Sequence, residues 1–330
     1  MKQTSQSSRL SIAPMMDWTD RHCRYFHRQI SRHALLYTEM VTAPALVRGG
    51  AVHLLAFDAS EHPVALQLGG SDPAELAEAA RMGADAGYDE INLNVGCPSD
   101  RVQSGTFGAV LMKTPDLVAD CVQAMKRAVS VPVTVKCRIG VDDQDPETVL
   151  PEFIGRVKDA GCDYLIVHAR KAWLKGLSPK ENRDVPPLDY DLVVRMKERF
   201  PDMPISVNGG IESLDAAEAL IARGLDGAMI GRAAYHRPWD VLSGVDARLF
   251  GAPAGTTRED VIRAMRPYID AHLANGGKLH QVTRHMLGLF AGQPGARLWR
   301  RVLSEQANLP GQTSALLDEA LDRMRRLDTV

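Results

Sequence analysis

Between Leu10 and Ile230 the sequence repeats one alternation: a short run rich in β-branched and other apolar residues, then a stretch long enough for a helix. The runs are Leu10–Pro14, Leu35–Met40, Val64–Leu68, Glu90–Asn94, Val133–Cys137, Tyr164–His168, Ile205–Asn208 and Gly227–Ile230, and runs of this kind read as strands. Segments between them carry helix signals. Asp72–Ala86 opens with a capping residue, places Pro73 at the first helical position and repeats Ala and Leu at helical spacing; Pro115–Ala128 and Leu214–Arg223 behave similarly. Eight strands each followed by a helix is the arithmetic of a (β/α)8 TIM barrel, whereas a doubly wound sheet has fewer strands. With 330 residues, the chain has room for one barrel of about 250 residues and a small second domain rather than two equal halves.

The barrel is expected to close near Trp239, giving a catalytic domain over residues 1–250, and Gly251-Ala252-Pro253-Ala254-Gly255 reads as a linker. Beyond it, Arg258–Ala274, Lys278–Ala291, Gly295–Ala307 and Thr313–Leu327 have helical periodicity, which predicts a small all-α domain over residues 257–330. The net charge of -2 hides an asymmetry: residues 1–256 carry 28 Lys and Arg against 33 Asp and Glu, while residues 257–330 carry 11 against 8. The stretch Lys278–Arg301 contains Lys278, Arg284, Arg297, Arg300 and Arg301, with His280 and His285, and no acidic residue. A solvated helix face is the commoner fate of such a run, but a one-signed run is also what phosphate-backbone binding needs.

The five cysteines, Cys23, Cys97, Cys121, Cys137 and Cys162, are scattered and never form a C-x-x-C pair, which argues against a disulfide framework and a zinc knuckle. No metal is expected. The N-terminal MKQTSQSSRL has no apolar core, and no run approaches the roughly 18 apolar residues of a membrane helix. A cytoplasmic protein with no membrane association is therefore expected.

Residues at the C-terminal ends of barrel strands face the active site. Those ends are Pro14-Met15-Met16, Glu39-Met40, Gln67-Leu68-Gly69, Asn94, Lys136 with Arg138, His168 with Arg170, Asn208-Gly209-Gly210, and Gly231-Arg232. Singly, each has a bland reading: Gln67 as a loop cap, Lys136 as a solvated end, His168 as a satisfied core histidine. As a set they are more polar, basic and glycine-bearing than a structural barrel needs. Cys97 lies between Gly96 and Pro98 where the fourth strand runs out, followed by the polar, glycine-rich Ser99, Asp100, Gln103, Ser104, Gly105 and Gly108. That composition suits a mobile loop carrying a reactive group, although a small buried thiol is what a free cysteine usually is. A second long connection, Ala169–Leu188, is too long and polar for a routine loop, and Trp173 within it argues against disorder.

The backbone at Gly209-Gly210 and Gly231, with Arg232, falls where barrels commonly bind a phosphate. Gln67 and Lys136 then reach the polar edge of a flat ring, where a lysine stabilises a ring that becomes anionic on reduction. No G-x-G-x-x-G opens an early strand-helix junction, so a Rossmann dinucleotide site is not supported and flavin mononucleotide (FMN) is the economical cofactor. A reduced flavin delivers hydride to an electron-poor alkene, and a positioned acid completes the addition; Cys97 suits that role without metal or triad.

The pieces APMMDWTD, TEMVTAPAL, LQLGG, INLNVGCPSDRVQSGTFGAVLM, VTVKCRIGVDD, HARKAWLKGLSPKENRDVPPL, NGGI and GRAAYHRPW together resemble the bacterial tRNA-dihydrouridine synthases, and HARKAWLKGLSPKENR resembles the A-type subfamily. The resemblance implies an FMN-dependent reduction of uridine to 5,6-dihydrouridine at positions 20 and 20a of the tRNA D-loop, with NADPH as electron donor. It implies hydride addition to C6 and protonation of C5 by Cys97. By matching motif, FMN contacts fall on Pro14, Met15, Met16, Gln67, Lys136, His168, Asn208, Gly209, Gly210, Gly231 and Arg232. Asn94 and Arg138 would hold the uracil, and Lys180, Arg183, Arg297 and Arg300 would grip the tRNA. A base in folded RNA must be turned out to reach a barrel mouth, which a basic second domain favours by holding the backbone. No obligate protein partner is evident, and a monomer is expected. Two rivals remain open on the residues alone: an FMN barrel reducing a free pyrimidine or quinone-like substrate, and a non-catalytic RNA-binding barrel.

Overall fold

The computed structural model describes residues 8–99, 106–253 and 255–327. Residues 1–7, the linker residue Ala254, and Asp100, Gln103, Ser104 and Gly105 of the Cys97 loop lie outside the described residues. Strands β1 (Leu10–Ile12), β2 (Leu35–Thr42), β3 (Val64–Gly69), β4 (Glu90–Val95), β5 (Val133–Arg138), β6 (Tyr164–His168), β7 (Ile205–Asn208) and β8 (Gly227–Ile230) pair in parallel, in chain order, and close with β8 on β1. This is the expected barrel. β1 stops two residues short of the sequence reading because Pro14 has no N–H to continue the ladder. β2 runs two residues further, past a register shift between Tyr37 and Met40.

Around it lie α1 (Arg21–Ile30), α2 (Ala43–Val47), α3 (Pro73–Asp85), α4 (Pro115–Ala128), α5 (Pro146–Asp159), α6 (Tyr190–Arg199), α7 (Leu214–Ala222) and α8 (Arg232–His236). Their starts follow local chemistry. Asp72 accepts the Glu75 amide at 2.9 Å ahead of α3, and Ser213 accepts the Ala216 amide at 3.1 Å ahead of α7. Proline opens α3, α4 and α5, where a missing N–H costs nothing.

Each strand divides its side chains between two buried faces. Leu66, Ile91, Leu93, Val135, Leu165 and Val207 join the core under the helices, each burial contributing about 1.5–3 kcal/mol. The alternate residues fill the barrel. Ala13, Leu35, Tyr37, Ala65, Tyr164, Ile166 and Met229 form a small apolar cluster. The buried polar side chains of Gln67, Glu90, Asn92, Asn94, Thr134, Arg138, His168 and Asn208 share the inward-facing register.

After α8 come α9 (Pro238–Leu242), α10 (Val245–Phe250), α11 (Arg258–Ala274), α12 (Leu279–Thr283), α13 (Ala296–Gln306) and α14 (Ala315–Leu327). The helix expected over Lys278–Ala291 is shorter than its periodicity indicates: α12 ends at Thr283 and tight turns follow, with Met286 N–H on Thr283 O and Leu289 N–H on Met286 O. At Gly288 the chain runs against α8, where a Cβ would lie 2.3 Å from the His236 carbonyl oxygen. Trp299 of α13 is fully buried and donates Nε1–H to Met286 O at 3.0 Å. The tail packs directly on the barrel, with Tyr268 of α11 stacked on Tyr25 of α1 at 3.8 Å between ring centroids.

Candidate active site

A cavity of about 790 Å³ opens at the C-terminal ends of the strands, within the range of small-molecule and cofactor sites. It is lined by Pro14, Met15, Met16, Gln67, Asn94, Cys97, Lys136, Arg138, His168, Arg183, Asn208, Gly209, Gly210, Gly231 and Arg232, so every residue assigned above to catalysis or cofactor, from seven separate strand ends, meets in one place. Lys180 is exposed beside Pro179, which does line the cavity, and Arg297 and Arg300 sit exposed on α13 away from it. Trp18, Asp184, Glu212, His236 and Arg237 complete the rim; sequence reading did not single out any of them as a site residue, because they lie beyond the strand ends.

Cys97 is half-buried, whereas Cys23, Cys121, Cys137 and Cys162 are buried. Burial pushes the Cys121 and Cys162 thiols up to about 12 and raises those of Cys23 and Cys137 well above the usual thiol range, which leaves them inert. Position therefore separates Cys97 from the ordinary buried thiol. Its backbone is held on both sides: the Cys97 N–H donates to Asn94 Oδ1 at 3.0 Å, and the Ala109 N–H donates to Cys97 O at 2.8 Å. Its Sγ lies 3.6 Å from Ser99 Oγ.

Asn94 and Arg138 are both tied to this turn. Asn94 also accepts the Gly96 N–H at 3.1 Å and donates Nδ2–H to Gln67 Oε1 at 2.8 Å. Arg138 donates Nε–H to Gly96 O at 3.2 Å and Nη1–H to Asn182 O at 2.8 Å, joining the Cys97 turn to the long connection after β6. That connection is ordered around Asn182, which is fully buried, accepts the Trp173 N–H at 2.7 Å and donates to Trp173 O at 2.9 Å. Trp173 itself is 36% exposed, with Lys171 over its ring. Order in this loop rests on a buried amide rather than on a buried indole.

The wall beside Cys97 is cationic and short of partners. Burial, then the Arg138 and Arg183 charges, lowers Lys136 to about 8. Burial and the Arg138, Lys136, Arg170 and Arg183 charges hold His168 well below the usual histidine range, so its ring is neutral at pH 7. His168 Nε2 is buried with no hydrogen-bond partner among the described residues, an omission that costs about 1–3 kcal/mol unless a ligand repairs it. At Gly209, with φ of +105°, a Cβ would fall 2.5 Å from the His168 ring, so only glycine lets the chain pass this closely. Arg232 differs from expectation in being already engaged, with Asp184 at 2.6 Å. An unpartnered imidazole nitrogen, a depressed lysine and a glycine cradle fit an anionic, ring-bearing cofactor; among the described residues no cluster could hold a metal ion. No helix of the described residues is long and apolar enough to cross a membrane.

Comparison with known proteins agrees with this geometry. The family model described as Dihydrouridine synthase (Dus) matches residues 11–325. The chain is 57% identical over 330 residues to a tRNA-dihydrouridine(20/20a) synthase of Salmonella typhi, covering 97% of this chain and 98% of that protein. It is 59% identical over 302 residues to one of Shewanella oneidensis, covering 91% and 89%, and 57% identical over 319 residues to one of Escherichia coli K12, covering 96% and 91%.

Proposed function

This chain belongs to the dihydrouridine synthase family, and from that premise we propose that it is an FMN-dependent tRNA-dihydrouridine synthase acting on uridines 20 and 20a of the D-loop. The observation that carries this reading is the half-buried Cys97 held at the edge of a cationic cavity by the Asn94 and Arg138 contacts.

Gln67, Lys136 and His168 would hold the ring of FMN, and the turns at Gly209-Gly210 and Gly231 would take its phosphate with Pro14, Met15, Met16 and Asn208 closing the site. Once reduced by NADPH, FMN held there would supply a hydride for C6 of the uracil. The protein supplies the rest. Cys97 gives its Sγ proton to C5, so the C5=C6 double bond becomes a single bond carrying two new hydrogens. The thiolate left behind lies within electrostatic reach of Lys136, Arg138 and Arg183, which stabilise it until solvent returns a proton. The free edges of Asn94 and Arg138 face the uracil. Lys180 and Arg183 at the mouth, with Arg297 and Arg300 on the 257–330 helical domain, hold tRNA phosphates. A reducing cytoplasm suits a free reactive thiol.

Nucleoside mass spectrometry on tRNA lacking dihydrouridine, incubated with the protein, FMN and NADPH, tests this directly. A gain of two hydrogens at 20 and 20a is expected; NADPH oxidation with unchanged tRNA would favour a free-pyrimidine substrate instead.

A further inference from the structure

Beneath the cavity floor, three buried polar side chains, Glu90, Asn92 and Thr134, have no part in the chemistry above. Their hydrogen bonds run end to end into the site. Tyr37 Oη and Thr134 Oγ1 both donate to Glu90 Oε1, the latter at 2.6 Å. Asn92 Nδ2 donates to Thr134 Oγ1 at 2.8 Å, and Gln67 Nε2 donates to Asn92 Oδ1 at 2.8 Å. Asn94 Nδ2 then donates to Gln67 Oε1 at 2.8 Å, and the Gly96 and Cys97 amides donate to Asn94 Oδ1.

The direction of this chain is set at its Cys97 end. A backbone N–H only donates, so Asn94 must turn Oδ1 to Cys97 and Nδ2 to Gln67. Gln67 must then offer Oε1 to Asn94 and Nε2 to Asn92, and Asn92 must accept with Oδ1 and donate with Nδ2. Thr134 accepts from Asn92 and donates its hydroxyl proton to Glu90 Oε1, where the chain ends. Reversing any one amide would oppose donor to donor and acceptor to acceptor at two buried contacts, each costing the desolvation of unpaired groups.

We propose that Asn92 is a positioning residue for the reaction: with Thr134 and Glu90 behind it, it holds the Gln67 amide in the orientation that Asn94 dictates and keeps that amide in register with the Cys97 backbone. An unsupported glutamine can present either its oxygen or its nitrogen to a ring edge. The buried chain leaves one Nε2–H and one Oε1 lone pair free, in a single orientation. The cofactor-contacting amide and the acid-bearing turn are thereby parts of one hydrogen-bonded unit. This inference rests on the proposed reading of Gln67 as a cofactor contact and Cys97 as the acid.

Three full-length variants test it: Asn92→Leu, which keeps the volume and removes both contacts, and the pair Thr134→Val and Thr134→Ser, which remove and retain one hydroxyl. The readouts are solvent exchange of the Gln67 side-chain amide by 15N NMR, and kcat and KM on tRNA lacking dihydrouridine. Asn92→Leu is expected to lose protection of the Gln67 amide and to lower kcat about 10- to 100-fold, the scale of small misplacements, with KM for tRNA little changed. Thr134→Val should move both readouts in the same direction by less, and Thr134→Ser should restore them. If Asn92→Leu turns over like the wild type, or Thr134→Ser loses as much as Thr134→Val, the chain is only packing and the inference fails. Should Asn92→Leu not fold, the Thr134 pair decides. A wild-type protein that forms no dihydrouridine would instead overturn the functional reading, and the positioning role with it.

Discussion

The barrel mouth and the junction between α1 and the tail draw on the same side-chain types and use them oppositely. At the junction Asp20 pairs with Arg284 at 2.6 Å and His285 at 3.0 Å while capping α1 through the His22 and Cys23 amides. Nearby, Arg24 pairs with Glu61 at 2.6 Å, and Arg28 donates to the carbonyls of Ser31, Ala34, Glu61 and Pro63. At the mouth, Lys136 makes no ion pair among the described residues and His168 Nε2 has no partner. Buried charge that is paired holds elements together, whereas charge and nitrogen left open at a cavity anticipate a ligand. Mutations in the two regions should therefore fail differently, one in chemistry and the other in stability.

Cys97→Ala gives the largest expected effect. Loss of the positioned acid should lower dihydrouridine formation by about 10²- to 10⁴-fold without changing the melting temperature, the yellow colour or tRNA affinity. Undiminished multiple turnover would remove Cys97 from the acid role and erase the contrast. Asp20→Ala should do the reverse. Uncapping α1 and leaving Arg284 and His285 without their carboxylate should cost about 2–3 kcal/mol in denaturant unfolding, with FMN binding retained; a stability unchanged from wild type would mean the junction is not held by this pairing.

The basic run from Lys278 to Arg301 contains the same division on a smaller scale. Arg284, though exposed, and the buried His285 are both paired with Asp20, while Arg297, Arg300 and Arg301 are exposed and in no ion pair among the described residues. Arg297→Ala with Arg300→Ala should weaken tRNA binding and reduce the slope of log affinity against log salt by about 2. Affinity unchanged across salt would reduce the run to a solvated face. The smallest effect is on acid stability. Burial lowers His22 to about 4 and His27 to about 3. A folded pKa depressed below the unfolded value stabilises above that unfolded value, here about 6.5, and the stabilisation is lost as pH falls toward the folded value. The melting temperature should decline between pH 6.5 and 4, and His22→Asn should flatten part of that decline; an unaltered profile would show that His22 charges freely in the folded state.

What was readable in the chain follows from what acts locally. Alternation, caps and helix-opening prolines mark strands and helices over short windows, and a (β/α)8 barrel makes strand ends converge whatever the loops do. Gln67, Lys136, His168 and Cys97 were found because each stands at such an end. Asn92 and Asn182 were not, because an asparagine in a strand or a polar loop looks the same whether it faces water or ends a buried chain of hydrogen bonds. The polar residues of β4, in Glu-Ile-Asn-Leu-Asn-Val, fill the barrel.

By itself, then, the sequence determined the eight strands, their order, the convergence of a cysteine with basic and glycine-bearing strand ends, and the family to which these motifs belong. Only the tertiary structure decided that Arg284 and His285 serve Asp20, that Arg232 is taken by Asp184, and that α12 stops at Thr283. The physical reason is one of range. Propensity and periodicity are properties of a few consecutive residues, but pairing depends on partners hundreds of positions away, such as Asp20 and Arg284, brought together only when the barrel closes and the tail packs on it.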